Sequence, residues 1–215
     1  FIEEYAQTLP TDLFSEYKSF GGIAWQFTSR ERSKELFTQR GSFFSISGKH
    51  LAGLSSGTRD FSAYEGSLSF FHSFRERSRL VFAGRVGGGI NQGSYPFFQA
   101  QVLDGKTSLR GFRETRFYGD SKFFANLEVR LRLLNFRSYL FPASFGILGF
   151  HDVGRIWYKN ENGIDPSSPG GKSHVWHKGW GGGIWFTPFN LTILSLEVAH
   201  SPEGTLGYMR LGFLF

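Results

Sequence analysis

Three arginines, Arg110, Arg113 and Arg116, recur at three-residue spacing in the stretch GKTSLRGFRETRFYG at 105–119, interleaved with Phe112, Phe117 and Tyr118. A long irregular loop inside a compact fold is usually functional or disordered. The aromatic content argues against disorder, so this one reads as a loop folded back into a polar cavity, with the rest of the chain as its wall. Other chemistry is poorly supported. Six histidines (His50, His72, His151, His174, His177, His200) are present, but none has Asp or Glu at the spacing of a zinc site such as H-E-x-x-H. His174-Val175-Trp176-His177 could place a metal on a loop, although a plain loop or interfacial position suits these residues better. There is no G-x-S-x-G elbow and no P-loop, and Gly181-Gly182-Gly183 lies on a strand-like run followed by no helix, which makes a phosphate cradle improbable. No catalytic residue, metal site or cofactor is expected in this segment.

The elements that would position the arginine loop are strands. The 215 residues include 26 Phe and 28 Gly with one Met and no Cys, a balance that favours strands and turns over helices. The formal charge is +6, but Lys and Arg are scattered and mixed with acids, so nucleic acid is not expected as a partner. The absence of Cys removes disulfides and thiolate metal sites. No window approaches the ~18 apolar residues of a membrane helix, whereas barrel strands of ~9–11 alternating residues escape such a test. The chain opens at Phe1 without Met, a basic n-region or an apolar h-region. It is therefore expected to be a processed protein or a fragment.

Residues 1–20 support no firm assignment. Period-2 alternation starts at Gly21, with Ile23, Trp25 and Phe27 on one face; Ser29 to Arg40 reads as a turn or loop. Phe44, Ile46 and Gly48 mark a second segment and Tyr64, Leu68 and Phe70 a third. The cluster Arg75-Glu76-Arg77 reads as a turn before Leu80, Phe82 and Val86. The clearest segment is Lys122 to Leu134. Ala125, Leu127, Val129, Leu131 and Leu133 face one way, and Asn126, Glu128, Arg130 and Arg132 the other. A helix would mix those arginines with the leucines. Residues 145–157 form another long strand, Lys159 to Ser173 a polar loop, and 178–187, 191–200 and 206–215 the closing strands. The last of these puts Met209, Leu211, Phe213 and Phe215 on one face, with Tyr208 and Arg210 on the other. About nine segments, several of them long, with Tyr118, Tyr139, Trp157 and Tyr158 at their ends, favour a membrane barrel over a soluble sandwich.

From about Phe97 to Phe215 the chain resembles the C-terminal part of the Omp85 (BamA/TamA) superfamily of outer-membrane barrels. Leu109-Arg110-Gly111-Phe112 is similar to the family's motif on the sixth extracellular loop, Phe150-His151-Asp152-Val153-Gly154 to its F-x-D-x-G strand motif, and Thr187-Pro188 to a later T-P. The resemblance implies an all-β, antiparallel transmembrane barrel of roughly sixteen strands, of which this chain supplies the C-terminal portion. One partial domain is expected: 21–91 strands before the loop, 92–121 the lumen-folded loop, and 122–215 the last five strands. The resemblance also implies an integral protein of the bacterial outer membrane that inserts or translocates other outer-membrane proteins. Its partners would be outer-membrane lipid, lipopolysaccharide and periplasmic or lipoprotein assembly factors. Tyr208, Leu211, Phe213 and Phe215 resemble a C-terminal sorting signal. The alternative is a barrel anchoring a fused calcineurin-like phosphoesterase or patatin-like lipase, since Pro96 to Ala100 and the flanks of the loop motif resemble the phosphoesterase-fused branch. A passive porin is disfavoured by an arginine-rich loop in the channel.

The residues also support a pairing on physical grounds. Arg110 in a narrow, desolvated lumen needs a hydrogen-bonded counter-charge. Asp152 is the best candidate: Phe150 and Gly154 share its face, and Gly154 leaves room for a loop. A guanidinium–carboxylate fork would fix the loop's orientation, with Phe112 and Phe150 excluding water. From the residues alone a solvated Arg110 and an unpaired lumen-lining Asp152 stand as the other reading; the resemblance favours the pair. The same assignment turns His151 and Arg155 towards lipid. Arg155 can snorkel to the interface, while His151 is a cost with no compensation visible in the sequence.

Overall fold

The computed structural model describes residues 18–32, 37–74, 79–137, 142–158 and 175–215. The turn assigned to Arg75–Arg77, the loop Lys159–Ser173, His174, Tyr139 and nearly all of the unassigned segment 1–20 lie outside the described residues.

Alternation produces long antiparallel strands. They are β1 (Phe20–Arg32), β2 (Gly41–Gly53), β3 (Phe61–His72), β4 (Leu80–Gly93), two short strands β5 (Gln101–Leu103) and β6 (Phe117–Gly119), then β7 (Ser121–Arg137), β8 (Pro142–Trp157), β9 (His177–Pro188), β10 (Leu194–Ser201) and β11 (Gly204–Leu211). Nine of them form one sheet in the order β1-β2-β3-β4-β7-β8-β9-β10-β11, and β5 pairs with β6 apart from it. The helical content of the described residues is a single 3-10 turn, Phe97–Gln99. β7 has 17 residues and β8 has 16, beyond the usual 3–10 of soluble strands. β1 runs through Arg32, so Ser29 to Arg32 belong to a strand and not to the expected turn.

The faces are inverted relative to a soluble sheet. On β7, Leu127, Val129 and Leu133 are exposed, whereas Asn126, Glu128 and Arg130 are buried. The same holds for exposed Phe70 beside buried Ser69 on β3 and for exposed Leu196 and Val198 beside buried Ser195 and Glu197 on β10. Apolar side chains thus point outward and charge points inward, as in a membrane barrel wall. A register shift between Arg132 and Leu134 interrupts the β7–β8 ladder. With that bulge both Leu133 and Leu134 are exposed.

The end of the chain departs from the alternation. β11 stops at Leu211, and Gly212 takes φ +103°, a left-handed conformation that suits glycine. Met209 and Leu211 remain outside, at 78% and 80% exposure. Phe213 does not follow them: its ring lies 5.8 Å from Trp185 and 6.2 Å from Phe37, both buried inside. Phe215 lies 6.2 Å from Phe71 on β3. The expected common face for Met209, Leu211, Phe213 and Phe215 is therefore corrected. One positive-φ residue turns the last rings, Phe213 and Phe215, into the interior.

Candidate functional site

The connection between β4 and β7 folds inward. Asp104 starts its tip: its Oδ1 accepts from the Lys106 backbone N–H at 2.8 Å, and its carbonyl accepts from the Ser108 and Leu109 backbone N–H groups. This turn tucks Leu109 into a fully buried cluster with Leu103, Phe117, Phe124 and Ile156. Burying a Leu or Phe is worth about 1.5–3 kcal/mol, so Leu109 and Phe112 hold the tip inside before any charge is considered.

Arg110 then reaches three strands. Its Nε donates to Asp152 Oδ2 at 2.7 Å and its Nη2 to Oδ1 at 3.0 Å, a two-pronged fork, while its backbone N–H adds 3.1 Å to Oδ2. Nη1 donates to Glu128 Oε2 at 2.8 Å and to Glu197 Oε2 at 3.1 Å. All four side chains are fully buried. The Phe150 ring lies under the guanidinium, 3.5 Å from its centroid to Cζ. Burial pulls the Arg110 proton affinity down, but the hydrogen bonds and charge of Asp152, with the charges of Glu128 and Glu197, outweigh it and raise the group above its ordinary value.

The neighbours complete the charge balance. Glu128 Oε1 accepts from Arg130 Nε at 2.6 Å, and Glu197 Oε1 accepts from Ser195 at 3.0 Å with Arg210 at 3.7 Å from Oε2. Arg130 also donates to the Phe215 carbonyl at 2.9 Å and lies 3.8 Å from the Phe213 ring centroid. Arg85 donates to Asn126 Oδ1 and to the Thr107 carbonyl.

The wall also takes up the loop's backbone. Arg210 donates to the Lys106 carbonyl at 2.6 Å, Asn126 to that of Ser108 at 2.8 Å, and Ser201 to that of Gly111 at 2.6 Å. The Tyr208 hydroxyl accepts from the Gly111 N–H at 2.9 Å and donates to the Phe112 carbonyl at 3.2 Å. Gly111 has φ +96°, and a Cβ there would come 3.0 Å from Ser201 Cβ. Gly179 on β9 faces the loop so closely that a Cβ would lie 1.8 Å from the Arg110 carbonyl oxygen.

The structure thus brings together Arg110, Asp152 and Phe150 as the sequence led us to expect. Gly154 faces Leu103 of β5, whose Cδ1 would be 3.1 Å from a Cβ. Phe112 lies elsewhere: it packs edge-on to Phe117 and to buried His177, and His177 stacks on Phe117 at 3.8 Å. That ring contact is what the structure gives for one half of the suggested His174–His177 metal pair. Arg113 is exposed, while Arg116 bonds Glu203 at 2.6 Å. The sequence reading missed Glu128 and Glu197 as partners of Arg110. Glu128 alternates with Leu127 and Val129, a signal that places it on the polar face; Glu197, alternating with Leu196 and Val198, carries the same signal more weakly. His151 is exposed opposite Leu127 and Trp180, as expected.

An antiparallel wall with a charged inner face and an inward-folded arginine loop defines a transmembrane barrel protein of the kind that carries its long loop inside. The Omp85 superfamily domain matches residues 15–199, and the chain belongs to that superfamily. No curated protein matches. Among solved structures the fold is similar to BamA from Haemophilus ducreyi lacking POTRA domains 1–3, with a TM-score of 0.64 at 17% identity. The match covers 87% of this chain and 42% of that one, so this chain spans less than half the length of that BamA.

Proposed function

We propose that this chain forms part of a bacterial outer-membrane barrel that takes part in inserting or translocating outer-membrane proteins, in contact with membrane lipid, lipopolysaccharide and periplasmic or lipoprotein assembly partners. Membership of the Omp85 superfamily supports the reading. The observation that carries it is the anchorage of Arg110 on carboxylates from β7, β8 and β10, which holds the loop against the inner face of the wall. The site is structural, and no step of covalent chemistry is assigned to it.

The test is folding of a urea-denatured outer-membrane barrel into vesicles holding the intact protein. Faster client folding than in empty vesicles is the expected result, and Arg110→Ala is expected to reduce it. A barrel that only anchors a fused hydrolase would give the empty-vesicle rate, which would overturn the proposal.

A further inference from the structure

Arg155 takes no part in holding the loop. It lies on the outward face of β8, opposite Phe123 of β7, at the end of the wall from which the long loop departs. Its guanidinium is 5.0 Å from the Trp157 ring centroid and 5.7 Å from that of Trp176. Trp176 is in turn edge-on to Phe123 at 6.0 Å and to Trp157 at 6.4 Å. Inside this aromatic cage the Arg155 Nε is buried and makes no hydrogen bond. A buried donor left unpaired is costly, and more so on a charged group. Lys178 is exposed on the same outward face, opposite Val153, and so diagonal to Arg155. No Asp or Glu shares that face in the described strand residues of β7–β11. Beyond the two cations the wall is largely apolar, with Leu127, Trp180, Ile184 and Val198 exposed on it around the imidazoles of His151 and His200.

Two cations with no Asp or Glu on their face among the described strand residues, one with a buried donor that makes no hydrogen bond, above a largely apolar wall, suit an anion with hydrocarbon attached. We propose that Arg155, caged by Trp157 and Trp176 with Lys178 beside it, binds the phosphate of a membrane lipid whose acyl chains lie along the outward face of β7–β9. The guanidinium supplies the forked donors that phosphate oxygens accept, and the tryptophans sit where a headgroup meets its chains. The inference rests on the outward face meeting lipid.

The test is retention of defined lipids by the intact protein in neutral detergent, read by native mass spectrometry. The probes are dioleoyl phosphatidic acid, lipid A, phosphate-free dioleoylglycerol and inorganic phosphate. The parent is expected to retain both phosphate-bearing lipids more tightly than dioleoylglycerol, with inorganic phosphate failing to displace them. Arg155→Gln should weaken the phosphate lipids about tenfold, the worth of a charged hydrogen bond, and leave dioleoylglycerol unchanged. Arg155→Lys, which keeps the charge and loses the planar fork, should fall between, and heat-modifiable mobility confirms that each variant is folded. Equal retention of phosphate lipids by parent and Arg155→Gln overturns the site, as does displacement by inorganic phosphate. Retention of no lipid at all by the parent overturns both the site and the outward-face reading.

Discussion

Arg110 is bound to Asp152, Glu128 and Glu197 with all four groups out of water. Such a cluster adds little net stability compared with an apolar replacement, yet losing one member leaves the others charged and unpaired, at about 3–5 kcal/mol. Arg110→Ala removes the fork from buried Asp152 and one donor each from Glu128 and Glu197, which keep Arg130 and Ser195, and is expected to lower the urea midpoint of the folded barrel and abolish its heat-modifiable mobility. A variant that unfolds and migrates like the parent would falsify the anchoring role. Arg110→Lys should recover only part of the loss, because a point charge cannot reproduce the fork on Asp152 while also reaching Glu128 and Glu197. The raised proton affinity of Arg110 sets the pH dependence of its own contribution. A group raised on folding stabilises fully below its unfolded value and loses that contribution only as pH climbs through the folded one. Its ordinary value is already strongly alkaline, so titration to about pH 9 should leave the Arg110 fork in place; release of the loop in that range, seen as new proteolytic cleavage, would contradict this. Gly179→Ala tests the steric side. A Cβ 1.8 Å from the Arg110 carbonyl must push the tip away, whereas Gly207→Ala meets nothing within 4 Å and serves as the matched control.

At the scale of elements, the β4–β7 connection behaves as a wedge whose tip is held by side chains of β4, β7, β8, β10 and β11 while Lys106 and Arg113 stay exposed. Trypsin should therefore cut the folded parent slowly in this loop and Asp152→Ala rapidly, after Lys106, Arg110 or Arg113, as read by peptide mass; equal rates would mean that the tip is held without the charge cluster. The wall strands were legible in the sequence because a two-residue period with Arg130 and Glu128 on one side and leucines on the other admits one backbone geometry. The Arg110–Asp152 pair was legible through its motif surroundings. Glu197 as a third partner was not, because facing inward is a local property while meeting Arg110 depends on pairing four strands in register across 87 residues of chain. The inward turn at Gly212 was hidden for a different reason: the alternation continues in the letters through Phe213 and Phe215, but one positive φ ends it in space. Phe213→Ala removes the ring on Arg130 and Trp185 and should cost about 3–5 kcal/mol if that packing is as full as a core site, measurable as a lower urea midpoint.

For the whole molecule, the orientation of its surfaces is the proposition that most other statements lean on, and its five tryptophans sort by side. Trp25, Trp176 and Trp180 are exposed at 48%, 45% and 58%, whereas Trp185 is 1% exposed among interior rings. In bilayers of brominated lipid, a variant retaining Trp180 alone should be strongly quenched and one retaining Trp185 alone hardly at all; the opposite order would turn the wall inside out. The interior is also uneven. The loop tip, Phe213 and Phe215 fill the space beside β7–β11, while cavities of about 450 and 290 Å3 lie along β1–β4 beside Lys49, Glu65 and Gln101. Because a single guanidinium ties non-adjacent strands to one another, the later staves share a common hub, whereas β1 to β3 are joined chiefly edge to edge. Under rising heat the strands of this segment should part at β1–β3 before they part at β7–β10, where Arg110 holds them together.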